Sequence, residues 1–368
     1  MFTYQNLSPS SRKTGMTFIA AALARHNMRV GVVTVQLSWL SRLAGVERLR
    51  TVPRREINRW TRRAPNLFSY VWMPPLHPAG SKGWKGRIVG PTLVSLYPWL
   101  LTPSIIQEAK TADLIIIESS VAVALFRRLK RIAPNAKFVY CASDRLEVIG
   151  VQPRLIDCLA ETATEYDLVR IPAAAMAGDF PEGTRVAFIP HGLEKKLFDE
   201  AEFSPYNPGT TNAVIAGDMN SDAQTVHRLA TEFPTVNFHV FGRMDEKYFS
   251  GQDNVKFHGE VGFPVLVPYI KFADVGIAPY DSRPRAEYLA QSSLKLLQYA
   301  YAKLPIVGPE FIKAGREHIF VYDRNSHDSI RDAMQHALYF DRSQFTDEYI
   351  KSWDETVQYM AGLVGLDF

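Results

Sequence analysis

The sequence predicts an α/β protein built as two Rossmann-like domains, and three observations predict it. Short apolar runs that stop abruptly in polar loops, such as Val275 to Ala278 before Pro279 and Leu114 to Ile117 before Glu118, read as parallel strands buried on both faces. Amphipathic stretches alternate with these runs in both halves of the chain, which is the βαβ pattern. A polar connection from Pro190 to about Thr211 separates the two series, and 368 residues are enough for two domains.

Composition narrows the class. Hydrophobic residues make up 46% of the chain and charged residues 22%, the balance of a globular protein and not of a disordered one. The net charge of +4 is modest, so the distribution of charge matters more than its sum. Cys141 and Cys158 are too few for a secreted disulfide framework and fit a reducing cytoplasm. Met1 is followed by a polar segment without the apolar core of a signal peptide. No apolar run is long enough to span a bilayer, because Glu118 interrupts the best one.

In chain order, Met1 to Tyr4 reads as the stub of a first strand, Gly15 to His26 as a helix and Val30 to Val35 as a strand. The loop between stub and helix carries Arg12 and Lys13. It is neither G-x-G-x-x-G nor a Walker A motif, which weakens dinucleotide oxidoreductase and P-loop readings.

Residues 38–90 hold eleven Arg or Lys against Glu47 and Glu56, interleaved with Trp39, Trp60, Trp72 and Trp84. Such a mixture suits an anionic membrane surface, where arginines neutralise headgroups and indoles settle at the interface. It equally suits nucleic acid, or a solvated basic face over core tryptophans. Further strands are predicted at Lys137 to Cys141, Leu168 to Ile171, Val186 to Ile189, Ala213 to Ala216, Asn237 to Phe241 and Val255 to Gly259. Helices are predicted at Val121 to about Ile132, Asp222 to Glu232, Ser326 to Tyr339 and Asp347 to Leu363.

The rest of the chain is arranged around residues 274–309. A strand ends at Ala278, a polar loop carries Arg283, Arg285 and Glu287, and Ser292 and Ser293 are candidate caps of a helix to about Ala302. Leu304 to Val307 is the next strand. A strand, loop and helix N-terminus in this order can hold an anion on backbone N–H groups. Lys295 sits in the first helical turn, where the dipole prefers acids, and a bound diphosphate would remove that conflict. A solvated lysine is the alternative.

Tyr-Ile-Lys at 269–271, Gly-Ile-Ala-Pro-Tyr at 276–280 and Tyr-Leu-Ala-x-Ser-Ser-x-Lys-Leu-Leu-Gln-Tyr at 288–299 resemble the donor-binding segment of the GumK-like family of inverting GT-B glucuronosyltransferases. Glu-Ser-x-x-Ala-Val-Ala at 118–124 and Val-Tyr-x-Ala-Ser-Asp at 139–144 resemble the same family, so the likeness covers most of the chain. The resemblance implies two Rossmann-like domains facing an interdomain cleft. The first spans 1–195, with helix 345–368 packing back on it, and faces acceptor and membrane; the second, 196–344, binds the donor. It also implies transfer of glucuronate from UDP-glucuronate to a polyprenyl-diphosphate-linked oligosaccharide in exopolysaccharide assembly. The enzyme would be peripheral at the cytoplasmic face of the inner membrane.

By the same resemblance Asp144 is the catalytic base, consistent with a carboxylate at the end of a parallel strand taking a proton from the attacking hydroxyl. Capping of the following turn is the structural alternative. The implied donor contacts are Met219, Glu260, Tyr280, Leu289, Ser292, Ser293, Lys295 and Gln298. Arg283, Arg285, Arg12 and Lys13 are candidates for the sugar carboxylate or phosphates. Trp60, Arg62, Arg63, Trp84 and Lys85 are the candidate membrane-facing residues.

The UDP-sugar is a substrate and no cofactor is expected. The sequence has no Asp-x-Asp and no zinc-ligand spacing, so no metal is expected. Nucleic acid is not expected as a partner. A same-fold enzyme for another UDP-sugar, or a sugar-nucleotide-binding module without turnover, are the alternatives.

Overall fold

The computed structural model describes residues 1–7, 13–43, 52–78, 83–217, 221–281, 287–345 and 349–367, with backbone alone at 83–87. The chain divides into two compact units, Met1–Pro190 with Trp353–Phe368, and His191–Ser352.

The first unit holds strands β1 (Phe2–Thr3), β2 (Val30–Thr34), β3 (Trp60–Ala64), β4 (Leu67–Val71), β5 (Leu114–Glu118), β6 (Lys137–Cys141), β7 (Leu168–Ile171) and β8 (Val186–Phe188). Among the described residues they form one eight-stranded sheet in the order β3-β4-β2-β1-β5-β6-β7-β8. Every pairing is parallel except β3 with β4. The two-residue β1 is central, hydrogen-bonded to β2 on one side and β5 on the other. Its position marks the point where the direction of strand progression reverses, outside which α/β sheets bind their ligands. The helix Trp353–Leu363 covers the helix Gly15–Arg25, with Trp353 stacked on Phe18 at 5.4 Å and Asp354 paired to Arg25 at 2.9 Å.

The second unit holds β9 (Thr211–Ala216), β10 (Val236–Phe241), β11 (Val255–Gly259), β12 (Val275–Ile277), β13 (Ile306–Pro309) and β14 (Ile319–Tyr322). They form a wholly parallel sheet in the order β11-β10-β9-β12-β13-β14. Counted from its own first strand this is 3-2-1-4-5-6, the Rossmann order, with the reversal between β9 and β12. The core of this unit contains Ala213, Ile215, Phe238, Val240, Val275, Ile277 and Val307 between sheet and helices. Gly276 is required by packing: a Cβ there would stand 2.5 Å from the Tyr299 ring.

The expected strands are present, with ends moved by one or two residues. The expected helix from Val121 to Ile132 is broken into a 3-10 turn, Val121–Leu125, and a short α-helix, Phe126–Ile132. Residues 38–90 differ most from expectation, because β3 and β4 form a hairpin on the sheet edge, closed at Pro65-Asn66 with Asn66 at φ 59°. Trp60 therefore lies over Gly31 and tilts against Tyr70 at 5.0 Å. Arg63 is paired with Glu56 and donates from Nε to Ser69 Oγ at 2.7 Å. Both side chains are committed to the unit's own packing, which corrects their assignment to a membrane face. Arg62 stays exposed.

Candidate functional site

In the second unit the loop after β12 returns to the reversal point between β9 and β12. Tyr280 bridges to Ser221 in the loop after β9, and Asp222 N–H donates to Pro279 O at 2.6 Å. A short helix, Leu289–Ser292, leads to Ser293, which caps the helix Leu294–Tyr301 by accepting from Leu296 N at 3.2 Å. The Ser293 hydroxyl also meets the Tyr280 hydroxyl. Lys295 Nζ stands 4.9 Å from the centre of the Tyr280 ring and donates to Gly217 O at 3.4 Å. Tyr280, Ser293 and Lys295 thus gather at one sheet edge beside a helix N-terminus, where first-turn N–H groups and the dipole favour an anion.

Leu289, Ser292 and Gln298 are buried around this turn. Glu260 stands farther along the same carboxyl edge: it follows β11, two strands from β9, and is paired with Arg243 at 2.7 Å. Met219, Arg283, Arg285 and Arg12 lie outside the described residues, as do the side chains of Trp84 and Lys85. Lys13 is exposed.

Two features of this edge were not anticipated. Tyr299 is fully buried, and its hydroxyl donates toward Val214 O at 2.9 Å and Ile277 O at 3.3 Å while accepting from Ala216 N at 2.9 Å. It fastens β9 to β12 directly beneath the gathered side chains. Arg324, just after β14, is paired with Asp281 at 2.6 Å and with Asp222 at 3.3 Å. Asp222 meanwhile caps the helix Ala223–Glu232. Tyr299 belongs to the quoted 288–299 motif, yet an apolar-helix reading hides its polar role, and Arg324 carries no motif at all.

In the first unit Asp144 follows β6 and is partly exposed. Its N–H donates to Ser119 Oγ at 3.0 Å, and the N–H groups of Ser119 and Ser143 both reach Cys141 O, at 3.0 and 2.9 Å. The next residue, Arg145, donates from Nε to Asp179 Oδ2 at 2.6 Å and from Nη2 to Ala175 O at 2.9 Å, holding the far side of the turn. Behind it Cys141 is buried and its thiol is pushed up to about 12 by that burial, so it is no nucleophile. A partly exposed carboxylate on a tethered turn at a strand's carboxyl end can accept a proton from a bound hydroxyl.

Exposed apolar side chains on this unit include Trp39, Leu40 and Leu43, and Ile88, Val89, Leu96 and Trp99. Trp99 lies under the guanidinium of Arg128 at 4.1 Å and near that of Arg131 at 5.8 Å. No single helix among the described residues is long and apolar enough to cross a membrane. The segments Ile88–Leu100 and Pro103–Lys110 pass that test only jointly, bent by 69°. Nor do any three His, Cys, Asp or Glu side chains cluster among the described residues.

Residues 1–172 match the family model of the glucuronosyltransferase GumK N-terminal domain. Over 345 residues the chain is 30% identical to the UDP-glucuronate:glycolipid 2-beta-glucuronosyltransferase of Xanthomonas campestris pv. campestris, spanning 94% of this chain and 84% of that protein. Among solved structures, the UDP-forming α,α-trehalose-phosphate synthase of Burkholderia xenovorans matches with a TM-score of 0.57 at 12% identity, over 99% of this chain and 96% of that one. The UDP-GlcNAc 2-epimerase of Neisseria meningitidis matches with a TM-score of 0.52 at 11% identity, over 95% of each chain. At such identities the two structures bear on the fold alone, a pair of Rossmann-like domains of the GT-B class.

Proposed function

Because the chain belongs to the GumK glucuronosyltransferase family, we propose that it transfers glucuronate, with inversion, from UDP-glucuronate to a lipid-diphosphate-linked oligosaccharide in exopolysaccharide synthesis. The observation that carries this reading is a relation over 94% of the chain to an enzyme whose donor is UDP-glucuronate and whose acceptor is a glycolipid.

The chemistry assigns each group one task. Asp144 takes the proton of the acceptor hydroxyl as its oxygen attacks the anomeric carbon, and the bond from that carbon to UDP breaks on the opposite face. Charge then develops on the departing diphosphate. Lys295 and the N-terminus of the helix Leu294–Tyr301 stabilise it, with Tyr280 and the Ser292-Ser293 turn beside them. This charge compensation supports a reaction without a metal ion. Leu289 and Gln298 line the turn, and Met219 and Glu260 complete the donor contacts in this reading. The sugar carboxylate calls for a basic partner, for which Arg283, Arg285 and Lys295 are the candidates; Arg12 and Lys13 serve phosphates.

The proposal also places the protein peripherally on an anionic membrane, at the cytoplasmic face of the inner membrane. The exposed Trp39, Leu40, Leu43 and Trp99 with Arg128 and Arg131 support this, since indoles and arginines together suit the headgroup layer.

Calorimetric titration with UDP, UDP-glucose and UDP-glucuronate, without added metal, tests the donor. Tighter binding of UDP-glucuronate than of UDP-glucose is expected. Equal affinity for the two would retain the diphosphate site and remove the sugar assignment, and absence of binding would remove both.

A further inference from the structure

Arg324 stands just past the carboxyl end of β14, and the chemistry above gives it no task. In the sheet order β9-β12-β13-β14, β13 lies between it and β12, and both β13 and β12 lie between it and β9. Its guanidinium nevertheless reaches the loops that follow β12 and β9. One nitrogen, Nη1, donates to Asp281 Oδ1 at 2.6 Å, and the other, Nη2, stands 3.3 Å from Asp222 Oδ2. Its backbone carbonyl accepts from Arg228 Nη1 at 2.9 Å, which ties this third loop to the helix Ala223–Glu232.

The two carboxylates differ in their surroundings. The Asp222 side chain is 9% exposed and also accepts the N–H groups of Gln224 and Thr225 and the Thr225 hydroxyl, at 3.0, 3.3 and 2.9 Å. Asp281 is 39% exposed and follows Tyr280, whose ring faces Lys295 Nζ at 4.9 Å. A single guanidinium that meets both acids through neighbouring nitrogens holds two like charges close together, an arrangement that is repulsive without the cation. The same two loops are joined by the Ser221–Tyr280 bridge and by the Asp222 N–H, which donates to Pro279 O at 2.6 Å.

We propose that Arg324 is a positioning residue for the sugar-nucleotide donor: by neutralising Asp222 and Asp281 together, it clamps the loop after β12 against the loop after β9 and so sets Tyr280 beside Lys295. The inference rests on reading the edge at Tyr280, Ser293 and Lys295 as the donor site. Arg324 touches no reacting atom. Its removal leaves two uncompensated carboxylates on the loops that frame an anion, where they repel each other and the donor's phosphates alike. The effect falls on donor binding and not on the transfer step, because a contact equally engaged in ground and transition states changes KM and leaves kcat.

A double-mutant cycle on Arg324→Ala and Asp281→Asn tests this, with Asp222 left intact because it caps a helix. Arg324→Ala should raise KM for the donor and weaken UDP binding by about three- to ten-fold, the scale of one or two partly exposed ion pairs, with kcat within about two-fold of wild type. Asp281→Asn alone should not weaken binding. Added to Arg324→Ala, it should restore most of the lost affinity, since the amide carries no charge to repel. Arg324→Lys should fall between wild type and Arg324→Ala, because an ammonium keeps the charge without the planar fork. An arginine that served the fold alone would give lower stability with unchanged KM, or a loss of affinity that Asp281→Asn does not restore. Either outcome overturns the proposal.

A second readout needs no donor. Hydrogen exchange of the Asp222 N–H, which crosses between the two loops, should accelerate about three- to ten-fold in Arg324→Ala and return toward the wild-type rate in the double variant. Unchanged exchange refutes the clamp, whatever happens to UDP binding. Exchange that accelerates and is restored, in a protein that binds no UDP, keeps the clamp and refutes the donor reading.

Discussion

Asp144 and Lys295 carry opposite charges in separate units and are separable by experiment. Asp144→Asn keeps the side chain's size and the backbone bond to Ser119 Oγ, so the turn should survive while the base is lost. Transfer should fall by about 10² to 10⁴, the usual share of general base catalysis, with donor affinity in calorimetry unchanged. Lys295→Ala should do the reverse in binding: UDP affinity should weaken by roughly ten- to a hundred-fold, the value of a charge-assisted contact to phosphate. If both variants lose affinity equally, the division of labour between the two residues is wrong.

At the scale of elements, the proposed donor edge depends on how the helix Leu294–Tyr301 is held. Ser293→Ala removes the N-cap and the partner of Tyr280 together. Loss of such a cap costs about 1 kcal/mol, and in a domain of this size the transition should move down by about 2–4 °C. Scanning calorimetry measures that directly.

Most strands of both sheets were legible because parallel strands buried on both faces are written as bare apolar runs, Leu-Ile-Ile-Ile in β5 being the clearest; the edge strand β14, Ile-Phe-Val-Tyr, was not predicted. The hairpin β3–β4 was not. Its outer strand, Trp-Thr-Arg-Arg-Ala, carries charges because it lies on an edge, and Arg63 is neutralised by Glu56, which is distant enough in sequence to give no local signal. Helices opened by proline, such as Pro103–Lys110 and Pro153–Thr162, were also hidden, since a proline suited to the first turn looks like a breaker in a one-dimensional reading. At the site, Tyr280, Ser293 and Lys295 were found through their motif. Tyr299 and Arg324 escaped because their meaning depends on strand neighbours far away in the chain.

For the whole molecule, the buried titratable groups make the two units respond oppositely to pH. His239 and His318 of the second unit are buried, and desolvation lowers both to about 4 from 6.5. Between those values the unfolded chain binds more protons, so stability falls as pH drops from 6.5 toward 4. Glu118 of the first unit is raised to about 7 from 4.5, so its contribution is full below 4.5 and is lost as pH rises through 7. Acidification from pH 7.5 to 5 should lower the transition of the second unit more than that of the first. His239→Gln should reduce the difference, and parallel shifts of both transitions would contradict this account. The exposed Trp39 and Trp99 make a separate prediction: vesicles containing anionic lipid should retain the protein at low salt, and Trp99→Ala with Arg128→Ala should weaken that retention several-fold in flotation.

The contact between Gly276 and Tyr299 has a practical consequence for altering which sugar nucleotide the protein accepts. No side chain fits at 276 while the tyrosine ring is present, and removing the ring's hydroxyl releases two carbonyls and an amide of β9 and β12. A mutant library aimed at new donors should therefore treat these two positions as one inherited block and diversify only the loops above it. Selections that ignore this will recover mostly clones that fail to fold.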